Sequence, residues 1–198
     1  MGKTTTLDRL LGCIIGTNVS VLHFPCYSDA FETGGPRART RTTQEQLDAF
    51  HAFMRVESER VDAVRRANPA PELVLLDRSV DTLLAHCKAV DRAIEGSSYG
   101  GARREIVRRP YLTPDLTIYF DCPAEILKMR VRHERNTLDD FLVDSAFLRD
   151  FPAHFQSGKD LISREVRKID ASRAIDVVTS EVVAMILSAV GIDDATKS

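Results

Sequence analysis

The stretch Leu73-Val-Leu-Leu-Asp-Arg-Ser79 decides the fold class of this chain. Its four consecutive apolar residues match a short strand that is buried on both faces, which is typical of a parallel sheet covered by helices. The run ends in one acidic and one basic residue, Asp77 and Arg78. In parallel α/β sheets, ligands bind at this carboxyl end of the strands, so both side chains become candidates for a functional site.

Helical and strand patterns alternate on both sides of this stretch. The spacing of apolar residues predicts helices at 5–14, 43–67, 80–94, from about 123, 138–155 and 174–190, and strands at 19–24, 73–76, 116–120 and 166–169. A loop is predicted over 25–41, and the glycines and serines of 96–101 predict a break. The alternation indicates one α/β domain over residues 1–198, with a parallel sheet flanked by helices.

Composition excludes several classes of protein. A net charge of -2 over 198 residues argues against a partner that is a nucleic-acid polymer. The four cysteines are scattered, which argues against a disulfide framework and favours the cytoplasm. His23 and Cys26 have a spacing that suits zinc, but no second pair accompanies them, so we interpret them as packing residues. The chain contains no apolar run long enough to cross a membrane and no signal-peptide pattern.

The segment Gly2-Lys3-Thr4-Thr5 matches the end of the phosphate-binding motif G-x-x-x-x-G-K-S/T. A strand and a glycine turn normally precede this motif, and neither is present in the sequence. We therefore expect a parallel sheet whose first strand is missing from this chain, either in the cell or only in the recorded sequence. Two other interpretations of the segment stay open: a polar helix start, and a myristoylation pattern M-G-x-x-x-S/T formed by Gly2 and Thr6.

Charged residues elsewhere suit phosphoryl transfer. Asp77 could organise Mg²⁺ or the attacking oxygen, and Arg78 could bind a phosphate through two hydrogen bonds; an ion pair that closes the strand is the structural alternative. A group of cations near the end of one predicted helix could form a lid over about 128–140, or simply a solvated helix face: Lys128, Arg130, Arg132 and Arg135. A second basic stretch, 103–109, is interpreted as solvated surface.

The order of these segments resembles the thymidylate kinase-like family of P-loop nucleotide kinases, from Gly2 to about Ile186. Six segments carry the resemblance: Gly2-Lys3-Thr4-Thr5, His23-Phe24-Pro25, Asp77-Arg78-Ser79, Pro114-Asp115-Leu116, His133-Glu134-Arg135 and Asp170-Ala171-Ser172. The resemblance implies transfer of a phosphoryl group from ATP with Mg²⁺ to a nucleoside monophosphate. It also implies a homodimer, because members of the family are commonly dimers.

The resemblance also assigns residue roles. ATP would be bound by Gly2, Lys3, Thr4, Thr5, Arg130, Ala171 and Ser172, and Mg²⁺ by Thr4 and Asp77. The catalytic residues would be Lys3, Asp77, Arg78 and Arg135. The acceptor would lie against Phe24, Arg60 and Arg78, with Arg60 contacting its base; the structural alternative for Arg60 is a surface ion pair with Glu57.

Two departures from the family pattern bear on the acceptor. Ser79 replaces a tyrosine, and related deoxynucleoside kinases have a serine there; His23 replaces an arginine. Both argue against thymidylate as the acceptor. Ser79 leaves a deoxynucleoside kinase open as an alternative. The missing first strand leaves open a non-catalytic descendant that binds a nucleotide or a partner.

Overall fold

The computed structural model describes residues 3–14, 18–31, 35–36, 40–133 and 144–191. Its elements follow one another as α1 (Lys3–Ile14), β1 (Val21–Phe24), a short 3-10 helix (Tyr27–Ala30), α2 (Thr43–Arg66), β2 (Leu73–Leu76), α3 (Val80–Ile94), α4 (Ser98–Ile106), β3 (Leu116–Asp121), α5 (Ala124–His133), α6 (Ser145–Ser157), β4 (Glu165–Asp170) and α7 (Ile175–Ala189). The predicted α/β alternation is confirmed, and each of the four predicted strands is present.

The strands form two parallel pairs. β1 pairs with β2 from Val21↔Leu73 to Phe24↔Leu76. β3 pairs with β4 along their whole length. Over the described ranges no ladder joins one pair to the other. Instead, β2 and β3 both line one cavity of about 1070 Å³.

Helices cover the strands through apolar faces. Leu10 and Ile14 of α1 pack with Leu75 of β2 and with side chains of α7. A larger cluster joins α2, α3 and α4, with Phe50 and Leu84 among its fully buried members. Because these clusters pack the helices against one another and against β2, they fix the position of the strand ends. No helix among the described residues is long and apolar enough to cross a membrane.

The predicted break is confirmed at Gly96 and Ser97, which separate the end of α3 at Ile94 from the start of α4 at Ser98. Its extension to residue 101 is wrong, because Ser98–Ile106 forms α4. Asp91, at the end of α3, supplies the missing cap: its Oδ1 accepts from Ser98 N at 2.8 Å and its Oδ2 from Tyr99 N at 2.7 Å. Gly101 lies inside α4 where a Cβ atom would come within 2.7 Å of Leu47 Cδ2. This glycine therefore serves a close approach of two helices and not a chain break.

Helix α6 also differs from its prediction. It begins at Ser145, after Asp144 Oδ1 accepts from Ala146 N at 2.8 Å as a helix cap. The predicted start at 138 falls on residues outside the described part of the chain. β1 begins at Val21 and not at residue 19.

Candidate active site

The carboxyl ends of β1 and β2 bring three predicted site residues together. Phe24 ends β1, and its carbonyl oxygen accepts a hydrogen bond from Asp77 N at 3.0 Å. Asp77 and Arg78 line the cavity; Asp77 is half-buried and Arg78 is exposed. An acidic and a basic side chain therefore share one rim of the cavity, as their position directly after an apolar strand predicts.

The backbone of Arg78 is unusual. Its φ angle is 89°, in the region that residues with a side chain rarely adopt. The next residue, Ser79, is buried and is the N-cap of α3. The chain thus turns sharply between the end of β2 and α3, and this turn sets the direction in which the Arg78 side chain leaves the backbone.

Arg60 reaches this turn from α2. It is only 4% exposed. Its Nη1 donates to the Arg78 carbonyl oxygen at 3.2 Å, and its Nη2 donates to the Pro25 carbonyl oxygen. The guanidinium carbon also lies 4.0 Å from the centre of the Tyr27 ring. The guanidinium group of Arg60 is therefore directed at backbone carbonyls of both strand ends.

Glu57 lies beside Arg60 and is fully buried, so the alternative of a surface ion pair is wrong. Its Oε2 lies 3.3 Å from Arg60 Nη1 and accepts from the Tyr27 hydroxyl at 2.7 Å. Its Oε1 accepts from Leu112 N at 2.9 Å. Burial, together with the charge of Glu57, raises the pKa of Tyr27 well above its ordinary value, so the phenol stays protonated and can donate.

Sequence reasoning assigned no functional role to Glu57 or Tyr27. A signal for Glu57 was present, because it continues the inward-facing spacing of α2 set by Leu47, Phe50, Met54 and Val61. A carboxylate in such an apolar stripe needs a buried partner.

The amino end of α1 lies at the same cavity, which Thr6 and Leu7 line. The helix begins at Lys3, and Thr5 is exposed. Thr6 is buried, with its Oγ1 3.2 Å from Thr179 Oγ1. Gly2 lies outside the described residues, as do the side chains of Lys3 and Thr4. The free N–H groups and the positive dipole end of an α-helix favour an anion at this position.

The turn after β4 is held by Arg130 of α5. Its Nη1 donates to the Ala171 carbonyl oxygen at 2.6 Å, and its Nη2 to that of Ser172 at 3.1 Å. Arg130 and Ala171 both line the cavity. The structure thus brings together these three residues, which lie in separate segments of the chain and which the resemblance assigned to one ATP site. Arg135 and most of the predicted lid lie outside the described residues.

The described residues contain no group of three or more histidine, cysteine or acidic side chains that could hold a metal ion. A magnesium site of the predicted kind needs fewer protein ligands, because Mg²⁺ keeps several waters and shares substrate phosphates. The half-buried Asp77 carboxylate is a suitable oxygen donor for such a site.

The chain was compared with known protein families, sequences and structures. No model of a known protein family matches the chain. The chain is 28% identical over 131 residues to a thymidylate kinase from Latilactobacillus sakei subsp. sakei (strain 23K), a match that covers 65% of this chain. The match spans 60% of the length of that relative. The predicted resemblance to thymidylate kinase-like proteins is confirmed.

The fold is similar to a solved deoxyadenosine kinase from M. mycoides, whose structure holds the products dCMP and a flexible dCDP. The TM-score is 0.65 and 94% of each chain is covered, at 10% sequence identity. The predicted α/β fold, with parallel strands flanked by helices, is confirmed by this likeness.

Proposed function

We propose that this chain is an ATP-dependent kinase that transfers a phosphoryl group to a nucleoside monophosphate. One observation carries the proposal: the Asp77–Arg78 rim, the start of α1 and the turn held by Arg130 surround a single cavity. These are the parts that phosphoryl transfer requires, namely an anion site, an acid and cations around a spreading negative charge. The similarity to a thymidylate kinase supports the same activity.

In this proposal ATP binds at the α1 end of the cavity. Gly2, Lys3, Thr4 and Thr5 surround its phosphates, where the helix N–H groups add to the lysine charge. Ala171 and Ser172 lie against the adenine. Arg130 fixes their turn, and Arg135 approaches from the lid. Thr4 and Asp77 would hold Mg²⁺, which when bound neutralises phosphate charge.

The acceptor binds at the opposite rim. Arg78, exposed at the cavity edge, binds its phosphate, and Phe24 packs beside its base. A phosphate oxygen is already negatively charged, so its attack needs positioning and charge neutralisation more than a base. We place this activity in the cytoplasm, in a homodimer, with no nucleic-acid polymer and no membrane as a partner.

A deoxynucleoside kinase is the second candidate. Ser79 favours it, since related deoxynucleoside kinases have a serine after the Asp-Arg pair, and the fold likeness to a deoxyadenosine kinase agrees. In that case Asp77 would take the proton from a 5′-hydroxyl group.

An acceptor panel separates the two candidates. The purified chain is incubated with ATP and Mg²⁺ and each deoxynucleoside or its 5′-monophosphate, and products are resolved by chromatography. We expect diphosphate formation from at least one monophosphate, and a loss of at least about 100-fold in Arg78→Ala, the scale expected for one electrostatic donor. The exposed Arg104→Ala in α4 is the matched control. Products from nucleosides alone would establish the second candidate, and no product from any acceptor would overturn both.

A further inference from the structure

The turn at Arg78 has to be held in place. A φ angle of 89° is costly for arginine, and such conformations persist only where the surroundings fix them. The Arg60 guanidinium supplies one such contact, because its Nη1 donates to the carbonyl oxygen of Arg78 itself. Its second donor goes to Pro25, just after β1, so one planar group clamps both strand ends.

Arg60 in turn depends on Glu57. A guanidinium this far from water is unfavourable unless it is paired and hydrogen-bonded. Glu57 provides the opposite charge, and its remaining acceptor positions are filled by the Tyr27 hydroxyl and by Leu112 N. Two segments outside α2 therefore fix the Glu57 oxygens, and the fixed carboxylate in turn sets the position of the Arg60 guanidinium.

From this geometry we infer that Glu57 and Arg60 are positioning residues: they hold the backbone of Arg78 in its left-handed turn and thereby direct the Arg78 side chain towards the anionic group of the acceptor. The role of Arg78 in this inference rests on the proposed function. The contact by which Arg60 holds the Arg78 backbone, called the clamp below, does not depend on that function. It gives Arg60 a role distinct from contact with the base of the acceptor.

Two variants separate positioning from general support of the fold. Arg60→Lys keeps the buried positive charge beside Glu57 but lacks the planar fork that reaches both carbonyls. Glu57→Gln removes the charge and keeps the shape. Glu59→Gln, two residues along α2 and exposed, is the matched control. Arg78→Ala removes the Arg78 guanidinium itself and so shows the effect expected when that group no longer reaches the acceptor.

Binding is measured by calorimetry, first for the four deoxynucleoside 5′-monophosphates and then for the nucleoside of whichever one binds. We expect Arg60→Lys and Glu57→Gln to weaken binding of the monophosphate at least tenfold, as Arg78→Ala does, and to change binding of the nucleoside and of ATP less than twofold. The inference would be overturned if the variants lost affinity equally for the monophosphate and the nucleoside, or lost affinity for neither.

A crystal structure of Arg60→Lys decides the backbone part without reference to activity. We expect φ of residue 78 to leave the left-handed region. If wild-type protein binds no monophosphate, the proposed function fails, and this structure still tests the clamp. A φ near 89° retained without the arginine fork would overturn the clamp even in an active kinase.

Discussion

Replacement of Asp81 by asparagine tests how the segment before β4 is anchored to the rest of the molecule. Asp81, in the first turn of α3, is fully buried and accepts four hydrogen bonds. Oδ1 accepts from Ile162 N at 2.8 Å and contacts His154 Nε2 at 3.3 Å, while Oδ2 accepts from Ser163 N at 2.8 Å and from the Ser163 hydroxyl at 2.5 Å. This one carboxylate therefore ties α3 to α6 and to the segment that leads into β4.

The expected loss follows from those contacts. Asparagine keeps one oxygen, so two bonds can persist, but without the negative charge. On the other side the amide nitrogen would face Ser163 N, a donor that it cannot satisfy, while the Ser163 hydroxyl can turn to accept from it. An unsatisfied buried donor costs about 1–3 kcal/mol, and a hydrogen bond to a charged group contributes about 1.5–3 kcal/mol. We therefore expect Asp81→Asn to lower the free energy of unfolding by about 3–5 kcal/mol at pH 7, as for other broken buried ion contacts.

The loss must also depend on pH in one direction. Burial by itself raises the pKa of Asp81, but the hydrogen bonds from His154, Ser163 and Ile162 outweigh it and hold the pKa below its ordinary value. A lowered folded-state pKa stabilises the fold above the unfolded value of about 3.9, and this stabilisation is lost as pH falls through the lowered pKa. The difference in the free energy of unfolding between wild type and Asp81→Asn should therefore become smaller below about pH 4.

Urea unfolding followed by circular dichroism from pH 7 to pH 3 measures both quantities. Asp62→Asn is the control, because Asp62 is 56% exposed with Arg65 3.8 Å away, and we expect a change under about 0.5 kcal/mol. A similarly small change for Asp81→Asn at pH 7, or a difference that does not vary with pH, would refute the reasoning.

Three further predictions concern single side chains. Gly12 lies inside α1 with no atom within 4 Å of a Cβ position, so Gly12→Ala should raise the free energy of unfolding by about 0.5–1 kcal/mol in urea titrations. Burial raises the pKa of the Cys87 thiol to about 12, so iodoacetamide at pH 8 should label the exposed Cys13 and leave Cys87 unmodified in peptide mass spectra of native protein. Arg130→Met removes two short bonds to the 171–173 turn and should raise the KM for ATP about tenfold in steady-state assays, roughly one hydrogen bond to a charged group. An unchanged KM would separate this turn from ATP binding.

Local signals were enough for the strands and for the place of the candidate site. The apolar run Leu73–Leu76 predicts a strand and places two charged residues after it, and both are confirmed. The other three predicted strands are confirmed as well. The predicted burial of Leu73–Leu76 on both faces is wrong, because only Leu75 is buried and the whole run lines the cavity. Helix α4 could not be predicted, because its first turn depends on Asp91, a side chain from the preceding helix. Glycines that usually break a helix were outweighed by this cap and by close packing on Leu47.

The sequence by itself therefore determined the α/β order, the positions of Asp77 and Arg78 directly after an apolar strand, and the family resemblance. Only the tertiary structure decided that Arg60 is buried against two backbone carbonyls with Glu57 as its partner. The physical reason is the distance along the chain over which the deciding interactions act. Strand and turn preferences arise from neighbours along the chain, whereas the state of a buried charge depends on which distant donors and acceptors surround it after folding.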